Sequence, residues 1–179
     1  GLMPHATNGA TGKGYSPSVI YAGFALNGST NTANNNTLII DIETGEINGY
    51  NDHGVDENST EIGGGFANEA VAGNKVIIHS GTIGSTDKEI NVYGGKAREL
   101  VKGNEVILDG GATITGNVSG GYGEGLAPTV EGNRVVFSAG TVNGMVSGGS
   151  GVGAALKGNE VIVPSGTVTA KEGIYGAWG

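Results

Sequence analysis

Apolar residues recur along this chain in short runs of three, each introduced by Gly-Asn and one variable residue. The unit reads Gly73-Asn74-Lys75-Val76-Ile77-Ile78, Gly103-Asn104-Glu105-Val106-Ile107-Leu108, Gly132-Asn133-Arg134-Val135-Val136-Phe137 and Gly158-Asn159-Glu160-Val161-Ile162-Val163. A fifth copy, Asn35-Asn36-Thr37-Leu38-Ile39-Ile40, carries Asn where the others carry Gly. Aliphatic triplets bounded by Gly and Asn predict short strands that end at tight corners.

A second block closes each unit: Ile or Val, one variable residue, two small residues, another variable residue, then Ala or Gly. It occurs as Ile20 to Ala25, Ile62 to Ala67, Val92 to Ala97, Val118 to Gly123, Val146 to Gly151 and Ile174 to Gly179. Between the two blocks a turn leads to a third segment, as in Gly81-Thr82-Ile83, Gly140-Thr141-Val142 and Gly166-Thr167-Val168. The units start at residues 35, 73, 103, 132 and 158, in steps of 38, 30, 29 and 26. Propeller blades need about 40 to 50 residues for four strands, whereas three short strands and three corners make one turn of a solenoid. The pattern therefore predicts an all-β chain: a parallel β-helix (β-solenoid) of about five to six coils, three short strands per coil, with neighbouring strands about 4.8 Å apart. The general crossover preference makes right-handed coiling the default.

Placing the units in register yields three expectations. Lys75, Glu105, Arg134 and Glu160 alternate in sign from coil to coil, so neighbours attract, at a few tenths of a kcal/mol for each exposed pair. The asparagines before them, Asn36, Asn74, Asn104, Asn133 and Asn159, line up as a structural side-chain amide ladder at one corner. The middle triplet residues, Ile39, Ile77, Ile107, Val136 and Ile162, alternate outward if their neighbours point into the coil. Such a stripe is either covered by a flanking loop or the first 34 residues, or it meets another chain.

The chain divides into residues 1–34, an N-terminal segment read as a partial coil or cap, and residues 35–179, the solenoid repeats. The first unit holds a polar insertion, Asn51-Asp52-His53-Gly54-Val55-Asp56-Glu57-Asn58. The closing block at Ile174 to Gly179 is followed by no polar cap, and an open terminal coil offers unpaired backbone to a similar edge. This predicts either a piece of a longer array or end-to-end stacking of copies. Candidate interface residues are Ile77, Ile107, Val136, Ile162, Tyr175 and Trp178.

Composition narrows the function classes. Of 179 residues 37 are Gly, about one in five, which disfavours long helices. Only 4 Pro and no persistent Gly-x-y register exclude collagen. The net charge of −8, with the bases dispersed, argues against nucleic acid or an anionic membrane as partner. Absence of cysteine removes disulfides, thiol catalysis and zinc-thiolate sites. No apolar window is long enough to insert in a membrane as a helix, and the start lacks a signal-peptide pattern.

Candidate chemistry is sparse. Gly148 to Gly153 is glycine-rich, but it leads into the next Gly-Asn strand without room for the helix a phosphate loop requires. Asp52, His53, Asp56 and Glu57 offer metal donors without EF-hand spacing, so a solvated loop is expected, and His5, His53 and His79 form no motif. No metal or cofactor is expected. The carboxylates Asp41, Asp109, Glu89 and Glu124 do not recur at matching positions, which leaves a carbohydrate-active β-helix enzyme without a groove of paired acids. Tyr21, Phe24, Phe66, Tyr93, Tyr122, Tyr175 and Trp178 gather in the closing blocks, either stacked on one another or exposed to a sugar or protein partner. Thr82, Thr141 and Thr167 recur once per coil, and Glu46 interrupts that array, which is too narrow for ice binding. Sequons at Asn27, Asn35, Asn58 and Asn117 match chance in a chain this rich in Asn, Ser and Thr.

The Gly-Asn-x-Val-Ile units, Ser-Gly-Thr-Val turns and Val-Tyr-Gly-Gly closings resemble the repeat-rich passenger domains of Gram-negative autotransporters over residues 35–179. The resemblance implies a secreted, parallel β-helical, adhesin-type domain. It carries over no catalytic residue, since no Gly-Asp-Ser-Gly nucleophile motif is present. The expected function is a non-enzymatic β-solenoid, extracellular or on the bacterial cell surface, that binds a host-surface protein or glycan. The alternative is a filament subunit that contacts copies of itself end to end.

Overall fold

The computed structural model describes residues 19–25, 31–47, 61–86, 88–164 and 166–179. The polar insertion with Asp52, His53, Asp56 and Glu57, the residue His5, and the sequons at Asn27 and Asn58 lie outside the described residues. No helix occurs among the described residues. The strands follow one another in coils. Coil 1 holds β1 (Val19–Ala25), β2 (Thr32–Asn34) and β3 (Thr37–Ile47), and coil 2 holds β4 (Glu61–Ala67), β5 (Ala70–Ala72) and β6 (Lys75–Ile83). Coil 3 holds β7 (Asn91–Tyr93), β8 (Lys96–Ala97), β9 (Leu100–Lys102), β10 (Glu105–Leu108) and β11 (Thr113–Ile114). Coil 4 holds β12 (Val118–Ser119), β13 (Tyr122–Gly123), β14 (Thr129–Glu131), β15 (Arg134–Phe137) and β16 (Gly140–Val142). Next come β17 (Val146–Ser150), β18 (Ala155–Lys157), β19 (Glu160–Ile162) and β20 (Val168–Ala170) in coil 5, and then β21 (Ile174–Trp178).

Each strand pairs in parallel with its equivalent one coil away, which makes the chain a β-solenoid with three faces. Sheet 1, eight-stranded, is built from the closing blocks. Sheet 2 is five-stranded, running β2-β5-β9-β14-β18, so four coil-to-coil steps separate its first strand from its last. Sheet 3, also eight-stranded, is built from the aliphatic triplets and the segments that follow them. Within the N-terminal segment, residues 19–25 and 31–34 supply the coil 1 strands of sheets 1 and 2.

Two details differ from the sequence expectation. The Gly-Thr segments do not form a face of their own, because β11, β16 and β20 extend sheet 3 beyond the triplets. The remaining face is the short strand just before each Gly-Asn corner, whose central residue alone is inward and apolar: Ala33, Val71, Val101, Val130 and Leu156. Three residues with one buried position are too short to show periodicity. The Thr register differs as well: Thr141 pairs with Thr169, not Thr167, and Thr113 fills the coil 3 position, so Glu46, Thr82, Thr113, Thr141 and Thr169 form one row.

The corner between sheets 2 and 3 requires a left-handed backbone, which Gly adopts without steric cost. Gly73, Gly103, Gly132 and Gly158 have φ of 64°, 59°, 61° and 59° there, and Asn35 takes φ 58° at the equivalent place. Asn is among the few side chains that tolerate this region, so the fifth repeat copy keeps the corner.

Among the described residues the interior holds two hydrophobic cores. The larger lies between sheets 1 and 3 and includes Ile62, Val76, Ile78, Val92, Val106, Leu108, Ile114 and Phe137. The smaller lies against sheet 2 and includes Ala67, Val71, Ala97, Val101 and Val130. The asparagine ladder divides them. Along the chain Asn74 stands between Val71 of the small core and Val76 of the large one, and it meets Gly65, which stands between Ile62 and Ala67.

Each ladder amide before the last donates Nδ2–H to the Oδ1 of the next asparagine, at 2.9, 2.9, 2.9 and 3.0 Å from Asn36 through Asn74, Asn104 and Asn133 to Asn159. The same Oδ1 atoms accept the backbone N–H of the preceding asparagine at 2.9 to 3.0 Å. The second Nδ2–H bonds a sheet 2 carbonyl, as from Asn74 to Ala33 at 2.7 Å and from Asn133 to Val101 at 2.9 Å. Asn74, Asn104 and Asn133 are essentially inaccessible to solvent, and full pairing is what permits their burial. A shorter series at the corner between sheets 3 and 1 was not foreseen: Asn91 accepts the N–H of Asn117, and Asn117 that of Met145, both at 2.8 Å.

Candidate functional site

The outer face of sheet 1 concentrates most of the aromatic side chains and an ion pair. Read down the coils, the two variable positions of the closing block make two rows. One row runs Tyr21, Gly63, Tyr93, Ser119, Ser147 and Tyr175. The other runs Phe24, Phe66, Lys96, Tyr122, Ser150 and Trp178. Between the rows the two small residues of each block turn inward toward the ladder corner, so side chains of both rows lean across the glycines and touch.

The contacts are specific. Phe24 and Phe66 stack with centroids 5.3 Å apart, and Tyr21 lies 5.5 Å from Phe66. Gly63 makes room for that approach, since a Cβ there would stand 2.3 Å from the Tyr21 ring. Tyr93 and Tyr122 stack at 5.0 Å, as do Tyr175 and Trp178 in a tilted pair at the same distance. Lys96 is the hub. Its Nζ lies 5.6 Å from the Phe66 ring, 5.8 Å from Tyr93 and 5.6 Å from Tyr122. It bonds Glu61 at 2.8 Å and reaches Glu124 at 3.7 Å.

Burial gives these contacts weight. The side chains of Lys96 and Glu61 are only 12% and 14% exposed, so the pair sits at low dielectric, with the ammonium stabilised by ring quadrupoles. Glu61 also accepts the hydroxyl of Tyr21. Burial, then the Glu61 charge and this hydrogen bond, push the Tyr21 hydroxyl far above its ordinary value. Burial and the Glu61 charge push Tyr93 up as well. Further along, Ser147 and Ser150 donate to the Ser119 hydroxyl at 3.1 and 3.0 Å, and Ser119 donates to the Gly121 carbonyl at 2.8 Å. The face thus combines a firmly held polar centre with aromatic ends: Phe24 is 59% and Trp178 50% exposed. An open depression lined by Arg98, Glu99 and Leu126 adjoins it at Glu124.

The candidate interface residues fall on two separate faces. Ile77, Ile107, Val136 and Ile162 align on the outside of sheet 3, partly exposed, whereas Tyr175 and Trp178 belong to sheet 1. The charged row of sheet 3 aligns in the order Lys75, Glu105, Arg134, Glu160. Its pairs differ from the exposed pairs expected. Glu105 is 9% exposed and lies under two cations, bonding Lys75 at 2.6 Å and Arg134 at 2.5 Å.

The carboxylates weighed for catalysis are spread over the molecule. Asp41 accepts the Ser80 hydroxyl at 2.7 Å and Asp109 meets His79 Nδ1 at 2.6 Å, both on sheet 3, while Glu124 borders sheet 1. Among the described residues no group of three or more His, Asp or Glu is placed to hold a metal ion. Lys96 and Glu61 were missed in the sequence reading. For Lys96 the signal was present, since it holds a variable position of the closing block that aromatic residues fill in other coils, whereas Glu61 stands one residue before that block and carried none. No protein-family model matches the chain, and neither a curated protein nor a solved structure does.

Proposed function

We propose that the chain is a non-enzymatic β-solenoid of autotransporter-passenger type, extracellular or on the bacterial cell surface, that acts as an adhesin through the outer face of sheet 1. Its ligand is an extended, neutral host-surface glycan lying along the solenoid axis. The observation that carries this reading is the alignment of aromatic clusters on one face: Tyr21, Phe24 and Phe66, then Tyr122 stacked on the buried Tyr93, then Tyr175 and Trp178. Tyr122 and Trp178 lie two coils apart in one row, about 10 Å, which suits the repeat of an extended β-linked disaccharide. Aromatic rings take up the C–H faces of sugars, and Glu124 at the rim accepts from hydroxyls. The net charge of −8 disfavours polyanionic glycans.

The test is a glycan array probed with the full chain and with a variant carrying Phe24→Ala and Trp178→Ala. The reading expects binding to neutral glycans of several sugars, at least tenfold weaker for the variant. Failure to bind any glycan, or capture only by host proteins, overturns the assignment of a glycan ligand.

A further inference from the structure

Lys96 is a primary amine enclosed by rings and carboxylates on sheet 1, and the glycan reading makes no use of it. Its Nζ lies 2.8 Å from Glu61 Oε2 and 3.7 Å from Glu124 Oε1. The rings of Phe66, Tyr93 and Tyr122 stand 5.6 to 5.8 Å from the same atom. With side-chain exposures of 12% and 14%, Lys96 and Glu61 are largely withdrawn from water. The Tyr21 hydroxyl donates to the other Glu61 oxygen, Oε1. A nucleophile and a carboxyl carbon are thus held together, with a donor on one carboxyl oxygen and a second carboxylate beside the amine.

We propose that Lys96 and Glu61 condense to an intramolecular isopeptide bond that ties coil 2 to coil 3. Transfer of one proton from the Lys96 ammonium to Glu61 Oε2 leaves a neutral amine beside a neutral acid, the form favoured where charges are poorly solvated. The Nζ lone pair then attacks Glu61 Cδ and forms the N–C bond. Charge that develops on Oε1 is stabilised by the Tyr21 hydroxyl already bonded to it. Glu124 takes a proton from Nζ and returns it to Oε2, which leaves as water when the Cδ–Oε2 bond breaks. One ammonium and one carboxylate become one amide and one water, with no oxidation or reduction.

The fold supplies what the same reaction lacks in water. Fixing the two groups in contact replaces a bimolecular encounter, and the surrounding rings exclude the water that reverses the step. Burial favours the product, because two charges at low dielectric give way to a neutral amide. Its hydrogen-bond partners are in place: Oε1 keeps the Tyr21 hydroxyl, and the amide N–H has Glu124 beside it. The bond joins residues 35 positions apart, in a chain with no cysteine for a disulfide. Like a disulfide, it restricts the unfolded chain. It stands or falls independently of what binds to the strip above it.

The test is the intact mass of the full chain, followed over days at neutral pH, with its peptides mapped after proteolysis. Expected in most of the protein is a mass one water, about 18 Da, below that of the sequence. A branched peptide joins Lys96 to Glu61, and trypsin no longer cleaves after Lys96. Lys96→Arg, which keeps the cation, retains the full mass, and Glu124→Gln condenses roughly tenfold more slowly. The full sequence mass throughout overturns the proposal, as does a water loss mapped elsewhere, such as a succinimide at Asp109-Gly110. Condensation of Glu124→Gln at the unaltered rate overturns the proton-relay role of Glu124. The unsubstituted chain alone decides between ion pair and amide, so a variant that fails to fold leaves the test intact.

Discussion

Gly95 and Asn104 share one space: a Cβ placed on Gly95 would lie 2.7 Å from the Cγ and Oδ1 of Asn104. Gly65, Gly121 and Gly149 meet Asn74, Asn133 and Asn159 in the same way at 2.6, 2.6 and 2.5 Å. The small residues of the closing block and the asparagine of the strand unit are thus two halves of one device. The side-chain ladder stands where sheet 1 comes closest, and it closes the wall between the two cores.

Substituting the glycine half should therefore be costly. Gly95→Ala forces the Asn104 amide out of its hydrogen bonds and is expected to lower unfolding free energy by about 2 to 3 kcal/mol. Gly103→Ala is the control, because no atom lies within 4 Å and only its φ of 59° is strained. That change should cost about 1 kcal/mol. Urea unfolding of both variants measures the difference, and equal costs would refute the shared-space argument.

The asparagine half predicts a gradient along the ladder. Asn104→Ala leaves the N–H and Nδ2–H of Asn74 and the Oδ1 of Asn133 short of partners in a buried place. The expected loss is about 3 kcal/mol. Asn36, at the end of the ladder and partly exposed, donates to Asn74 alone in the series, so Asn36→Ala should cost about 1 kcal/mol. The same unfolding assay decides, and a flat profile would show that the ladder does not act as a cooperative unit.

Glu105 ties stability to acid. Burial alone would raise its carboxyl, but the hydrogen bonds and charges of Lys75 and Arg134 outweigh it and hold the group below the ordinary carboxylate range. A lowered folded-state value means the contribution is present above about pH 4.3, the ordinary glutamate value, and is lost as pH falls through the folded-state value. Glu105→Gln should remove about 2 kcal/mol at pH 7 and flatten the acid side of the stability profile. Thermal unfolding between neutral and strongly acidic pH measures this.

At the alkaline end the tyrosines of sheet 1 take over. The hydroxyls of Tyr21 and Tyr93 are pushed up by burial first and by Glu61 second. A raised folded-state value leaves stability intact below about pH 10, the ordinary tyrosine value, and removes it progressively above, as the unfolded chain ionises and the folded one does not. Stability should fall steeply beyond that point, and less steeply in Tyr93→Phe. Absorbance titration of tyrosinate alongside thermal unfolding separates ionisation from unfolding.

The coil register was legible wherever a residue recurs for a backbone or ladder reason. Gly or Asn35 at the left-handed corner and the asparagine beside it aligned five strands. Lys75, Glu105 and Arg134 were then placed side by side, but the depth of Glu105 was not readable, because covering depends on how two long cations fold over it. Sheet 2 was missed since each strand shows one inward residue. Thr167 was aligned by its Gly-Thr-Val neighbourhood, whereas the structure pairs Thr169, two residues later, so that Ala170 points inward beside Val142. On sheet 1 the aromatic residues and the place of Lys96 in their row were visible in sequence, and its contact with Tyr93 across the block was not, since it follows from the glycines that let two rows lean together.

The most direct test of the glycan-binding face uses its own reporter. Trp178 is the only tryptophan in the chain and stands half exposed at one end of the aromatic strip. Its fluorescence is followed while a neutral oligosaccharide that the chain retains on an array is titrated in. The account predicts a saturable change in Trp178 emission that is lost in a variant carrying Tyr122→Ala, a position on the same strip but away from the tryptophan. Binding that leaves Trp178 emission unchanged, or that survives Tyr122→Ala undiminished, would place recognition elsewhere and contradict the assignment of the sheet 1 face.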